Sequence, residues 1–206
     1  MSQQHWESVW EARSAEEVSW FQADPATSLR LIESVTEPGA AVIDIGSGAT
    51  RLVEALYADG YRDLTVLDIS ASALSRARER LGNDAAEVTW IVEDVTAFRP
   101  RRHFDLWHDR AVLHFLTEAA DRRAYRRTVK RCIADGGHVV VATFGPDGPV
   151  SCSGLPVMRH DQRSLGETLG DDFEPIEYVE EEHRTPGGAT QQFLYGLFRR
   201  RDRSER

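Results

Sequence analysis

Short apolar runs, each too brief for a helix and each followed by a stretch of helical periodicity, constrain this chain more than any other feature. The runs are Ala40 to Ile45 (AAVIDI), Leu64 to Ile69 (LTVLDI), Val88 to Val92 (VTWIV), Phe104 to His108 (FDLWH) and His138 to Phe144 (HVVVATF). Most are continuous rather than alternating, which is the pattern of strands buried on both faces. Between them, Leu52, Val53, Leu56 and Tyr57, then Leu74, Ala77 and Leu81, then Tyr125, Val129 and Ile133 mark single helical faces. Strands that alternate with helices imply a mostly parallel sheet covered on both sides.

The ends of the chain differ. Trp6, Val9 and Trp10 share one helical face, and Ser14 to Glu17 has the spacing of a capping box. Asp24-Pro25 reads as a cap and first-turn proline for a helix carrying Leu29, Ile32 and Val35, stopped by Pro38-Gly39. Toward the other end, Phe173 to Glu182 and Gln191 to Phe198 read as strands around a Thr185-Pro-Gly-Gly188 turn. The predicted fold is therefore α/β: a Rossmann-like, doubly wound sheet, mostly parallel, with an antiparallel C-terminal hairpin. Its predicted organisation is a helical cap or lid over 1–37, a ligand-binding domain over 38–200 and a charged tail over 201–206.

Composition narrows the class of partner. A formal charge of −9 argues against nucleic acid, which needs a basic face. Two cysteines, Cys132 and Cys152, offer neither a disulfide framework nor metal-ligand spacing, so no metal is expected and a reducing compartment is. The N-terminus lacks a signal-peptide pattern, and no apolar stretch approaches the ~20 residues of a membrane helix. The expectation is a cytoplasmic protein with no membrane partner, a monomer or homodimer.

The chemistry begins at Val42 to Thr50 (VIDIGSGAT). Glycines between a strand and a helix let a ligand approach the backbone closely, and the helix start adds free N–H groups. The third glycine of the dinucleotide fingerprint is missing, since Arg51 stands there. Asp68 ends the second strand, twenty residues after Gly48, where an acid can take both hydroxyls of a ribose; the alternative role, capping the next helix, already falls to Ser70. Asp94 ends the third. Asp44, Asp68 and Asp94 thus point toward one crevice above the carboxyl ends of the strands. Without a ligand between them, three acids in one crevice would repel one another. A ligand with an ammonium, a sulfonium and several hydroxyl or amino donors relieves that conflict, whereas a pyrophosphate worsens it.

The run VIDIGSGAT, Asp68 ending VLD and Asp94 in VEDV resemble the first three motifs of class I S-adenosylmethionine-dependent methyltransferases. The resemblance covers roughly residues 36 to 198 and implies a seven-stranded sheet whose last strand enters antiparallel. It implies S-adenosylmethionine as cofactor and domain 38–200 as its binding domain. Gly46 and Gly48, with Ser47 between them, would pass beside the methionine and ribose portions, and Asp44 would help hold the ammonium. Asp68, followed by Ile69, would bind the ribose, Asp94 would accept from the adenine amino group, and Val95 would pack on the ring. A narrower resemblance, in Val18 to Phe21 (VSWF), Trp107 to Ala111 (WHDRA), His114 to Thr117 (HFLT) and Cys152 to Pro156 (CSGLP), is to a group of small bacterial methyltransferases.

In this fold the residues after the fourth strand face the departing methyl group. Here they are His108, Asp109 and Arg110. His108 is a candidate general base and cofactor neighbour, since its ordinary pKa of ~6.5 suits that work. Asp109 is a candidate to orient His108 or a substrate ammonium, or else a helix N-cap. Arg110 is a candidate carboxylate holder, or else a neutraliser of the crowded acids. Trp20 and Phe21 are placed as a lid over the cofactor, Trp6 and Trp10 as packing. His114 reads as a buried structural histidine, and Cys152 as a small buried residue or a contact for a thiol or metalloid. His183, Arg184 and Thr185 are weaker candidates for the acceptor site. The leading function is methyl transfer to a small-molecule nucleophile by direct displacement. A protein lysine acceptor is the alternative within the family. Outside it stand an NAD-dependent oxidoreductase and a cofactor-binding module without turnover.

Overall fold

The computed structural model describes residues 2–48 and 50–202. Ala49 of the glycine motif and residues 203–206 of the charged tail lie outside the described residues. Helices α1 (Gln3–Ala12) and α2 (Ala26–Glu33) precede the first strand. There follow β1 (Val42–Ile45), α3 (Leu52–Ala58), β2 (Leu64–Asp68), α4 (Ala71–Leu81), β3 (Thr89–Val92) and β4 (Phe104–Arg110). The chain then forms α5 (Ala119–Cys132), β5 (Ile133–Phe144), the short pair β6 (Ser151–Cys152) and β7 (Leu155–Pro156), α6 (Gln162–Leu169), β8 (Phe173–Arg184) and β9 (Thr190–Arg200).

Seven strands make one sheet in the order β3-β2-β1-β4-β5-β9-β8. Strands β1 to β5 are mutually parallel, and β9 runs antiparallel between β5 and β8. The order within the hairpin follows from its side chains. Strand β9 buries residues on both faces, among them Phe193, Leu194, Tyr195, Leu197 and Phe198, so it takes the inner position. Strand β8 carries Glu174, Glu177, Glu180 and Glu182 and takes the edge, where charge discourages pairing with another chain.

Several boundaries differ from the sequence-based expectation. Pro25 stands at the N-cap of α2, one position before the first turn. Ser14 to Glu17 caps only a single 3-10 turn, with the Glu17 carboxylate accepting from the Ser14 N–H at 2.7 Å. Ile133 starts β5 rather than ending α5. Strand β4 runs on past His108 through Arg110, so Asp109 and Arg110 lie inside the strand as well.

That extension decides which way each side chain points, because successive residues of a strand face opposite sides of the sheet. Val42, Leu106, Val140, Ala142, Tyr195 and Leu197 pack on one face with α2 and α3. Ile43, Ile45, Trp107, Val139, Val141, Leu194 and Phe198 pack on the other with α5 and α6. Asp44, His108 and Arg110 therefore share the first face, and Asp109 belongs to the second.

Candidate active site

Two adjoining clefts open at the carboxyl ends of the parallel strands. The larger, about 600 Å³, is bordered by Gly46, Gly48, Asp68, Ile69, Glu93, Val95 and Val112, and by Trp6, Trp10, Phe115 and Cys152. The smaller, about 330 Å³, is bordered by Gln22, Ser28, Asp44, Ser47, Thr50 and His108. Trp20, Ile45, Gly46 and Arg110 border both.

The glycine loop is held open by its own neighbours. Gly46 and Gly48 adopt φ of +59° and +54°, a region that side chains disfavour. A Cβ on Gly46 would stand 1.9 Å from Val112 Cγ2, and one on Gly48 2.7 Å from the Trp10 ring. Glycine is required here by close approach of the chain's own side chains, which close the cleft around the loop.

Asp44 and His108 are adjacent because β1 and β4 pair in that register. His108 Nδ1 lies 2.7 Å from Asp44 Oδ1, and Nε2 lies 2.9 Å from the Ser28 hydroxyl on α2. A carboxylate only accepts, so Nδ1 carries the proton and donates. All three residues are buried, at 4% (Asp44), 3% (His108) and 1% (Ser28) exposure. The other carboxylate oxygen, Asp44 Oδ2, is buried without a hydrogen-bond partner.

Arg110 reaches away from β1. Its Nε donates to the Tyr195 hydroxyl at 2.9 Å, and Nη1 donates to the Trp20 carbonyl at 2.8 Å. The guanidinium stacks 4.2 Å from the Phe193 ring centre. Nη2 is buried, makes no hydrogen bond, and lies 3.8 Å from Glu181 Oε1.

Asp68 ends β2, and each of its oxygens accepts a backbone N–H at 2.8 Å, one from Gly48 and one from Ser70. Burial raises its pKa to about 6, against the lowering effect of those two donors, with Asp44 and Glu7 adding to the rise. Ser70 caps α4 by accepting from the Ala73 N–H at 3.1 Å, which leaves Asp68 free of that work.

Two expected site residues turn elsewhere. Asp109 lies on the opposite face from His108 and Arg110, fully buried, and borders neither cleft. Its carboxylate accepts from Val112 N (2.8 Å), Leu113 N (3.2 Å) and the Tyr125 hydroxyl (2.6 Å). It caps the turn after β4 and cannot orient His108, because strand alternation separates them. Asp94 also borders neither cleft, although Glu93 and Val95 border the larger one. Its Oδ1 folds back on its own turn to accept from the Thr96 N–H and hydroxyl at 2.8 and 2.7 Å. The row of three acids is thus divided between two clefts and a turn.

The remaining expected residues distribute as follows. Trp20, Ser47, Ile69 and Val95 border the clefts, and Cys152 borders the larger one with its thiol pushed up by burial. His114 is fully buried against Phe115 and Phe144. Phe21, His183, Arg184 and Thr185 border neither cleft; His183 instead contacts the Ser19 carbonyl at 2.8 Å. Trp6 and Trp10, expected only to pack, also wall the larger cleft. Ser28, Phe115 and Val112 were not foreseen. Ser28 had a signal, because it stands three and four residues before the buried Leu31 and Ile32 and so on the apolar stripe of α2. Among the described residues, no group of three or more His, Cys, Asp or Glu is placed to hold a metal ion, and no helix is long and apolar enough to cross a membrane.

Residues 42–137 match the family model described as "Methyltransferase domain". Nodulation protein S of Rhizobium tropici is 31% identical over 132 residues, 64% of this chain and 53% of that protein. The eEF1A lysine and N-terminal methyltransferase of Mus musculus is 28% identical over 144 residues, 68% of this chain and 20% of that protein. The chain therefore spans about half the length of the first of these relatives and a fifth of the second. The N-methyltransferase NodS from Bradyrhizobium japonicum WM9, solved with S-adenosyl-L-homocysteine, superposes with a TM-score of 0.74 at 21% identity, covering 95% of this chain and 98% of that one, and so shares its fold. Over residues 42–137 the chain thus matches a methyltransferase domain, and its fold is that of a solved N-methyltransferase.

Proposed function

We propose that the protein binds S-adenosylmethionine across the two clefts and transfers its methyl group to a small-molecule nucleophile by direct displacement. The observation that carries this reading is a pair of buried polar atoms of opposite charge that make no hydrogen bond, Asp44 Oδ2 and Arg110 Nη2, whose residues both border the smaller cleft. A buried polar group left unpaired is costly. The residues fit a ligand bearing an ammonium near Asp44 and ribose hydroxyls near Asp68, with Ile69 and Val95 offering apolar surface for a base. Bound there, the cofactor supplies an activated methyl group.

The chain's own contribution is alignment and the exclusion of water. Both ring nitrogens of His108 are engaged, so His108 serves orientation rather than proton abstraction in this arrangement. The acceptor end of the larger cleft is walled by Trp6, Phe115 and Cys152 beneath α1. That enclosure favours a small apolar or aromatic acceptor over a protein side chain. The free thiols of Cys132 and Cys152 suit a reducing, cytoplasmic compartment.

Calorimetry with S-adenosylhomocysteine and with NADH tests the cofactor: the former should bind, and binding of NADH alone would replace this reading with an oxidoreductase. Incubation with labelled S-adenosylmethionine and lysate, followed by separation of protein from metabolites, tests the acceptor. Label is expected in the small-molecule fraction; label in protein would favour a lysine acceptor, and none in either would favour a binding module without turnover.

A further inference from the structure

Three elements distant in sequence converge on one buried hydrogen-bonded chain. It starts at Asp44 on β1 and passes through His108 on β4 to Ser28 on α2. Beside it, the Tyr195 hydroxyl on β9 accepts from Arg110 Nε at 2.9 Å and donates to Glu181 Oε1 at 3.4 Å. Sheet register brings these groups together. Asp44 sits beside His108, and Arg110, Ala142 and Tyr195 form one row across β4, β5 and β9. Ala142, in the middle of that row, carries only a methyl group, which leaves Arg110 room to cross β5 and reach the Tyr195 hydroxyl.

We infer that Ser28 and His108 are positioning residues that hold the Asp44 carboxylate with Oδ2 turned into the smaller cleft, toward the ammonium of a bound cofactor. This rests on the cofactor reading proposed above. A carboxylate on a short side chain rotates freely unless an oxygen is held, and His108 holds Oδ1. His108 in turn is kept from rotating by Ser28 at its far nitrogen. The order of the residues is that of a serine nucleophile, a histidine and an acid, but the Ser28 hydroxyl is 1% exposed. Its place in the chain is orientation, not attack.

The test compares S-adenosylhomocysteine with its deaminated analogue, which lacks only the amino group, by calorimetry on the wild type, His108→Leu, His108→Asn and Ser28→Ala. Wild type should prefer S-adenosylhomocysteine. His108→Leu should weaken S-adenosylhomocysteine by about tenfold or more, the scale of a lost charge-assisted hydrogen bond, and leave the deaminated analogue within about twofold. His108→Asn places an amide N–H where Nδ1 stood and should recover most of the loss, with Ser28→Ala intermediate. If His108→Leu shows no cooperative thermal unfolding, Ser28→Ala carries the same comparison. Equal weakening of both ligands, or no recovery with asparagine, would overturn the inference while leaving the cofactor reading intact. A wild type that binds neither ligand would overturn both.

Discussion

The Glu7 carboxylate on α1 accepts a 2.6 Å hydrogen bond from the N–H of Ala71, the first residue of α4. It also accepts from the Ser70 hydroxyl at 3.0 Å and the Ser72 N–H at 3.2 Å, so one helix supplies the cap of another. From the other side, Arg76 on α4 donates to the carbonyls of Trp10 and Arg13. These contacts pin α1 across the larger cleft with Trp6 and Trp10 inward.

Releasing that pin should loosen α1 without unfolding the sheet. Burial raises the Glu7 pKa, but the donors from Ser72, Ala71 and Ser70 outweigh it and hold the carboxyl below 4.5. The contact is therefore fully present above that value and lost as pH falls below it. Glu7→Ala should cost about 1 kcal/mol, the usual worth of a cap, and speed tryptic cleavage after Arg13. Unchanged cleavage would mean that α1 is held by its tryptophans alone.

Asp68→Ala should weaken S-adenosylhomocysteine binding by about 1–3 kcal/mol if the carboxylate accepts from ribose hydroxyls. Hydroxyl donors favour the charged form of a group whose pKa stands at about 6. Affinity should then rise as pH increases through 6, and Asp68→Asn should flatten that profile. A flat wild-type profile from pH 5 to 8 would remove the ribose role.

Asp109→Ala should destabilise the fold by about 2–4 kcal/mol in denaturant melts, since it leaves the Tyr125 hydroxyl and two backbone N–H groups unpaired. Burial raises its pKa to about 6, against the lowering effect of Tyr125, Val112, His108 and Leu113. A raised pKa means that the folded state binds the proton more tightly. That contribution to stability is complete below the ordinary value of 3.8 and is lost as pH rises through 6. Asp109→Asn, which cannot ionise, should lack this dependence.

His114 and His160 carry the opposite sign. Burial lowers His114 to about 3, with the charges of His160 and Arg110 adding to it, and lowers His160 to about 4, helped by Arg122. Both are neutral in the folded protein and take up protons readily once it unfolds. Their contribution is complete above 6.5 and is lost as pH falls toward 4 and 3. His160→Asn should show a shallower fall in melting temperature between pH 6.5 and 4 than the wild type.

Gly46→Ala should destabilise by about 1–3 kcal/mol, the usual range for overpacking, because its Cβ would meet Val112 Cγ2 at 1.9 Å. Adding Val112→Ala should restore part of the loss, a coupling expected of residues in contact. Additive losses would trace the cost to the positive φ of Gly46 alone.

How much of this was legible beforehand differs from element to element. The strand before the glycine loop was readable because AAVIDI is uniformly apolar up to its acid. Asp68 and its place beside the glycine loop followed from the strand end and the spacing from Gly48. Strand β4 was read two residues short, since Asp109 and Arg110 are charged and sequence patterning carries a buried strand little beyond its last apolar residue. Their burial comes from partners in α5 and β9. Asp94 lies off both clefts for a local reason: the hydroxyl and N–H of Thr96 lie within reach of its carboxylate and bond Oδ1.

The sequence by itself determined the alternation of strands and helices, the parallel sheet with its hairpin, and the glycine loop with Asp68 beside it, because those rest on periodicity and on the chain's local stereochemistry. Only the tertiary structure decided that His108 would lie between Asp44 and Ser28, that Asp109 would face the other way, and that Arg110 would reach Tyr195. Those pairings depend on which strands become neighbours, in what register, and which side chain is small enough to let another pass. Asp44 and His108 are 64 residues apart, and no local pattern records the partner across a sheet.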